Sequence, residues 1–225
     1  MNKKKDLKER KRKQRIVKSW QGIAKGVPAF IIGCGCSLND YTDEQLKIIE
    51  QYFCICVNQA FQKIKPDILL WQDFDFFKNN SDYIIKNPDN AIMMCRDITS
   101  MLDLPHLYTY KLIPGKFQIK RLPYLQGSGN SGALAFELAY NLGCNPIVLL
   151  GMDCCYNNNG DTDFFGKNKY HTNQTLINCR MGLAFIKMYA SNTKIYSLSL
   201  NTIFKRKNFN KVIKKIGIGK KIKLI

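Results

Sequence analysis

The sequence predicts an α/β fold: one domain built on a Rossmann-like, mainly parallel sheet with helices on both faces. Three observations carry this. Short apolar runs recur along the chain, as strands buried on both faces require. Segments with helical spacing of apolar residues stand between them, the rhythm of a parallel sheet. The composition, 45% hydrophobic and 12% aromatic over 225 residues, is enough for one substantial core.

The elements follow in order. Residues 1–25 read as a basic arm, helical from Leu7 to Trp20. Val27–Ile32 is the first strand of the domain and Asp43–Gln51 a helix. Phe53–Val57 is the next strand, and Asp67–Trp71 follows Pro66 as a third. Asp82–Lys86 is a short helix, Ala91–Cys95 a strand and Leu107–Lys111 another. Asn130–Leu142 reads as a helix with Ala133, Leu134, Phe136, Leu138 and Ala139 inside. Pro146–Leu150 is a buried strand, Thr172–Tyr189 a long helix and Lys194–Leu198 the last strand. Residues 26–204 thus form the nucleotide-binding, catalytic domain, and 205–225 a basic C-terminal tail.

The formal charge of +18 is unevenly placed. Residues 1–25 hold 11 Lys/Arg and 2 acids, and residues 205–225 hold 9 Lys/Arg and no acid. The middle is left neutral. The basic ends suit anionic lipid or nucleic acid, or are simply solvated. Phe204, Phe209, Ile213 and Ile216 among the C-terminal lysines fit a helix lying on a membrane surface. No apolar run approaches the roughly 20 residues that cross a bilayer. The charged N-terminus has no apolar stretch behind it to serve as a secretory signal. The expected location is cytoplasmic, with peripheral contact to the inner membrane open through the basic ends.

Nine cysteines include the Cys-x-Cys pairs Cys34/Cys36 and Cys54/Cys56 and the adjacent Cys154/Cys155. One residue between ligands is fewer than structural zinc sites use, so buried reduced thiols are expected and no metal site is assigned.

Parallel sheets bind ligands at the carboxyl ends of their strands. That rule selects Gly33 to Ser37 after the first strand, Asn58 and Gln59 after the second, and Gln72, Asp73 and Asp75 after the third. It also selects Gly151, Met152 and Asp153 after Pro146–Leu150. A turn with Gly33 and Gly35 exposes backbone N–H groups where phosphate can sit. Asn130, Ser131 and Gly132 open a helix with amide, hydroxyl and free N–H donors. They serve as a helix cap, a nucleotide contact or both. Gly33, Cys34, Gly35, Ser37, Asn58, Gln59, Gln72, Asn130, Ser131, Gly132 and Gly151 are the expected nucleotide-binding residues. Asp153 either caps its loop or takes part in catalysis. Of the two histidines, His106 follows Pro105 in a loop and reads as structural. His171 lies in a polar loop beyond the active edge, and imidazole is the natural base for a hydroxyl proton.

Five blocks in order resemble the Campylobacter-type bacterial sialyltransferases and the related MptE-like superfamily. They are Gly33-Cys-Gly-Cys-Ser37-Leu38, Asn58-Gln59, Asn130-Ser131-Gly132 with Leu142-Gly143, Gly151-Met152-Asp153, and a His-bearing loop followed by a late strand and Asn201. The resemblance spans roughly residues 28 to 204 and implies a nucleotide-sugar site. It implies that the loop histidine deprotonates the acceptor hydroxyl. It also implies that tyrosines, here Tyr156 and Tyr170, assist the leaving phosphate without a required metal or other cofactor. Cys34 stands where the family carries an asparagine, and Cys154-Cys155 displace the tyrosine that follows its Gly-x-Asp. These departures point away from sialic acid as the donor.

Three functions follow. The first is glycosyl transfer from a nucleotide-sugar donor to a glycan, a glycolipid or a modified nucleic acid, with His171, Tyr170, Tyr156 and Asp153 as catalytic residues. The second is an MptE-like diphosphokinase acting on a pterin-like alcohol with ATP and Mg²⁺, with Asp73, Asp75 and Asp153 as carboxylates for the ion. The third is a nucleotide- or nucleic-acid-binding protein without catalysis. Sequence does not fix the oligomeric state.

Overall fold

The computed structural model describes residues 15–16, 18–96, 104–113, 119, 121–127, 130–200, 203–222 and 224. Its strands are β1 (Arg15–Ile16), β2 (Ala29–Ile32), β3 (Phe53–Val57), β4 (Ile68–Trp71), β5 (Ile92–Arg96), β6 (Leu107–Leu112), β7 (Tyr124–Leu125), β8 (Ile147–Leu150) and β9 (Ile195–Ser197). Its helices are α1 (Asp43–Ile49), α2 (Phe74–Asn79), α3 (Ser81–Lys86), α4 (Ser131–Leu142), α5 (Asn173–Tyr189) and α6 (Phe209–Ile216). The strands join in one sheet in the order β1-β6-β5-β4-β3-β2-β8-β9, with β7 beside β6. Every pairing is parallel. The expected α/β fold with a Rossmann-like sheet is what the chain forms.

The central strands are buried on both faces because alternate side chains enter different cores. Ala29, Ile31, Phe53, Ile55, Ile147 and Leu149 pack with α4 and with Leu183 and Ile186 of α5. Phe30, Ile32, Cys54, Cys56, Val148 and Leu150 pack with Leu46 and Ile49 of α1. Cys54 and Cys56 therefore share a face, as the Cys-x-Cys spacing requires. Both thiols are shut in the core, and burial pushes both well above the ordinary thiol range. None of the nine cysteines is in a disulfide.

Both ends differ from expectation. In the arm, Arg15–Ile16 is an edge strand paired with Tyr108 and Thr109, and Lys18–Trp20 is a single 3₁₀ turn. Pairing with β6 supersedes the helical spacing; the rest of the Leu7–Trp20 segment lies outside the described residues. Trp20 and Ala24 are buried. Beyond them, Gly22, Ala24 and Gly26 donate backbone N–H groups to the carbonyls of Asn141, Leu142 and Gly143 at 2.7–2.9 Å. They thereby satisfy carbonyls that the end of α4 would leave unpaired. Residues 18–25 thus belong to the domain.

The C-terminal segment is likewise part of the fold. Phe209, Val212 and Ile216 of α6 are buried in the same core as Phe30 and Val148. The spacing i, i+3, i+7 marks one helix face, which here covers the sheet instead of lipid. Beyond it Tyr52 donates to the Gly217 carbonyl, Lys221 meets Asp67 at 2.7 Å, and Leu224 is buried. Among the described residues no helix is long and apolar enough to cross a membrane.

Candidate active site

The site begins where the sheet changes direction. β2 lies between β3 and β8. The chain leaves β2 toward the face of α1 and leaves β8 toward the opposite face of α5, so the two exits diverge. A crevice opens at such a switch point. Its floor is backbone against backbone. Gly33 N–H donates to the Leu150 carbonyl at 2.8 Å and Gly35 N–H to that of Gly151 at 2.7 Å. A Cβ on Gly33 would fall well within 3 Å of the Gly151 carbonyl, and one on Gly35 equally close to the Asp153 carboxylate. The glycines are demanded by this approach.

The crevice widens into a cleft of about 540 Å³. Of the residues expected at the nucleotide, Gly33, Cys34, Gly35, Asn58, Gln72, Asn130, Ser131, Gly132 and Gly151 line it, together with Asp153 and His171. Ser37, Gln59, Tyr156 and Tyr170 are not in its wall.

Asp153 is 1% exposed and fully committed. Its carboxylate accepts from the Ser37 N–H at 2.7 Å, the Ser37 hydroxyl, and the Leu200 N–H at 2.9 Å. One side chain thus ties together the exits of β2, β8 and β9. Burial raises its carboxyl above the usual range, against the pull of those donors. Ser37 turns its hydroxyl to Asp153 and so is a strut of the floor. An Asp whose two oxygens already accept from three fixed donors is held as a structural tie, which argues against a direct catalytic role.

Asn58 takes the left-handed backbone with φ of 50°, a conformation asparagine tolerates better than most residues. Its Oδ1 is buried without a hydrogen-bond partner among the described residues. Such an orphan costs about 1–3 kcal/mol unless something donates to it, so this oxygen is free for a ligand. Gln59, the next residue of the turn, instead accepts from Gln62 at 3.1 Å. Cys34 donates its thiol to the Val57 carbonyl at 3.3 Å, and burial beside Asp163 pushes it up to about 12. It packs the wall as a neutral thiol.

Across the cleft, α4 aims its N-terminus at the floor. Asn130 caps it, its Oδ1 accepting from Gly132 N at 2.8 Å and Ala133 N at 3.4 Å. Its Nδ2 donates to the Cys179 carbonyl of α5 at 3.4 Å. Gln72 donates to the Ser131 hydroxyl at 2.8 Å, joining β4 to this cap. The Met152 thioether fills the space a Cβ on Gly132 would occupy, so a side chain there would have to displace it. The positive end of a twelve-residue helix thus faces the crevice.

His171 enters from the loop before α5. Its Nδ1 stands 3.5 Å from Asp163 Oδ2, the two side chains being 31% and 2% exposed. At that distance the two are in contact without an aligned hydrogen bond, and Nδ1 has no hydrogen-bond partner among the described residues. Burial raises the Asp163 carboxyl, while His171 and the Asn168 amide draw it down. Tyr156 donates its hydroxyl to the His171 carbonyl at 3.1 Å and so steadies the loop from behind. Tyr170 is 63% exposed beside the Lys169 ammonium. Neither tyrosine lines the cleft: the Tyr156 hydroxyl is spent on the loop backbone and Tyr170 is turned out to solvent.

Sequence reasoning missed Asp163, Arg96 and Cys179, which also line the cleft. Asp163 sits in Asp161-Thr-Asp163, and nothing in that spacing marks the second acid over the first. Of the carboxylates expected to hold Mg²⁺, Asp73 and Asp153 line the cleft and Asp75 does not. Among the described residues no group of three or more His, Cys, Asp or Glu side chains gathers as metal ligands. Asn201 lies outside the described residues, as do Ser128 and Gly129 of the loop before α4.

A family model for proteins described as 6-hydroxymethylpterin diphosphokinase MptE-like matches residues 2–159, more than half of the chain. The chain belongs to this MptE-like family. A search of curated protein sequences gave no match. Among solved structures, the fold is similar to the MAf glycosyltransferase from Magnetospirillum magneticum AMB-1, with 16% identity and a TM-score of 0.63. That match covers 89% of this chain and 36% of the other, so this MptE-like chain spans about a third of that protein. It is also similar to the sialyltransferase CstII from Campylobacter jejuni, solved with cytidine-5'-monophosphate. There the identity is 15%, the TM-score 0.52, and the coverage 82% of this chain and 86% of that one. The MptE-like chain thus shares its fold with glycosyltransferases.

Proposed function

We propose that the chain is a glycosyltransferase that moves a sugar from a nucleotide-sugar donor to an acceptor hydroxyl, with His171 as general base and no required metal. The observation that carries this is an imidazole in the wall of the switch-point cleft, backed by a buried carboxylate. The donor's phosphate sits over the glycine floor, at the N-terminus of α4. Asn58 Oδ1 accepts from an amino or hydroxyl group of the nucleotide. His171 takes the acceptor proton as the oxygen attacks the sugar carbon. The leaving phosphate gains charge as that bond breaks, and the α4 N-terminus lowers the barrier by meeting it. Tyr156 holds the His171 loop. The acceptor is a glycan, a glycolipid or a modified nucleic acid, and the exposed lysines near the C-terminus provide for an anionic one.

CMP is the first nucleotide to test, because the Campylobacter structure contains it. Binding of CMP should raise the unfolding temperature by mass action. His171→Ala should then lower transfer on the order of 10²–10⁴-fold, the usual worth of a positioned base. Undiminished transfer would show that the base is elsewhere.

The family match favours a second reading, diphosphate transfer from ATP to a pterin-like alcohol. Of the cleft carboxylates, Asp153 is held by Ser37 and Leu200 and Asp163 by Asn168 beside His171, so Asp73 is the one that would hold Mg²⁺, sharing it with the phosphates. A thermal response to ATP with Mg²⁺ but not to CMP, and activity lost on chelation, would replace the first reading with this one.

A further inference from the structure

Building on the reading of His171 as the base, we propose that Asp163 is its positioning residue: the carboxylate holds the ring with its proton on Nδ1, leaving Nε2 as the base toward the acceptor hydroxyl. Asp163 Oδ2 stands 3.5 Å from Nδ1, close enough for a small ring rotation to bring the two into a hydrogen bond, and Nδ1 has no hydrogen-bond partner among the described residues. A buried carboxylate accepts and does not donate, so the neutral ring facing it carries its proton on Nδ1.

Asn168 fixes the two groups to one another. Its Nδ2 donates to the same Oδ2 at 2.7 Å. Its backbone carbonyl accepts the His171 N–H at 3.0 Å, and its Oδ1 accepts the Tyr170 N–H at 3.1 Å. One residue thus binds the carboxylate and shapes the turn that delivers the imidazole. Asp163 is in turn pinned to the cleft floor. It forms a backbone bridge with Gly35, and the next residue, Phe164, donates its N–H to the Cys34 carbonyl at 2.8 Å. The ring is therefore referenced to the phosphate-holding turn through a short rigid path, which is the function of a group placed behind a catalytic histidine. The other titratable groups near Asp163 are Asp153, committed to Ser37 and Leu200, and the thiols of Cys34 and Cys179.

The only other histidine supplies an internal control. His106 Nε2 lies 2.8 Å from the Ile84 carbonyl, an acceptor, so that ring carries its proton on Nε2. The two histidines should be opposite tautomers. Long-range ¹H–¹⁵N spectra of the ¹⁵N-labelled full chain, at a pH where both rings are neutral, read this directly. His171→Asn assigns the signals. The expected result is Nδ1–H for His171 and Nε2–H for His106. In Asp163→Asn, His171 should shift to a majority of Nε2–H, the form free histidine prefers, with the His106 signals unmoved as a check on the fold. Nε2–H at His171 in the wild-type chain, or a tautomer unchanged by Asp163→Asn, overturns the proposal. If that variant does not fold, the wild-type spectrum decides alone. The readout needs no substrate, so it is separate from His171→Ala retaining transfer, which would instead overturn the base.

Discussion

Replacing Asp153 by asparagine tests whether this residue is a strut or a catalyst. The side chain keeps its shape but loses one acceptor. If the amide oxygen takes the Oδ1 place, the amide nitrogen confronts the Ser37 N–H, now 2.7 Å from Oδ2. If it takes the Oδ2 place, the nitrogen confronts the Leu200 N–H, now 2.9 Å from Oδ1. Either rotamer leaves one buried backbone N–H against another donor. That orphan costs about 1–3 kcal/mol, and the charge-assisted bond lost with it about 1.5–3 kcal/mol. Removing a desolvated charge returns part of this. A net loss of about 2–4 kcal/mol is expected, which for a chain of this size lowers the melting temperature by roughly 5–15 °C. Urea and thermal unfolding would measure it, with Ser37→Ala as the milder comparison, since it keeps the Ser37 N–H bond. A variant within about 0.5 kcal/mol of wild type that has nevertheless lost transfer would refute the reasoning and make Asp153 a reacting group.

Three further outcomes follow from the same geometry. Gly33→Ala forces a Cβ against the Gly151 carbonyl and Met152 Sδ; it should cost about 1–3 kcal/mol and weaken CMP binding, both readable in one thermal-shift series. Phe209→Ala should cost about 3–5 kcal/mol in denaturant unfolding, whereas a tail lying on lipid or solvent would register no change. Cys34 and Cys144, each pushed by burial from 9.0 to about 12, stay protonated in the fold while unfolded thiols ionise above pH 9. Stability therefore falls as pH rises from 9 to 12, by about 1.4 kcal/mol per pH unit for each thiol. The Cys34→Ala/Cys144→Ala chain should show a shallower alkaline slope in unfolding titrations.

The parallel sheet was legible because residues such as Phe53–Val57 must be apolar on both faces, and that pattern has few other causes. β1 and β7 were not, since two-residue strands are made by their partners and carry no period of their own. α6 was visible as spacing but misassigned. Its lysines suggested a lipid or nucleic-acid surface, and only the packed sheet shows which surface Phe209 and Ile216 cover. In the site, the strand-end rule found the floor and the helix-start pattern found the α4 cap, because backbone geometry dictates both. The strand-end rule could not separate Ser37, turned toward Asp153, from Asn58, whose oxygen is free, because direction within a turn depends on side-chain partners. Asp163 escaped for a related reason. It meets His171 only after the loop folds back on the Gly33–Gly35 turn.

The placement of α6 bears on synthesis. The sheet face bearing Phe30, Cys54 and Val148 is completed by Phe209, Val212 and Ile216, some sixty residues after the last residue of β8. At about 5–20 residues per second, a growing chain carries that part of the apolar face uncovered for roughly 3–12 s. During that interval the central strands have no cover from their own C-terminal helix. A chaperone, or an early contact of the ribosome-bound chain, would act in that window, and truncation before residue 209 should yield an aggregating product.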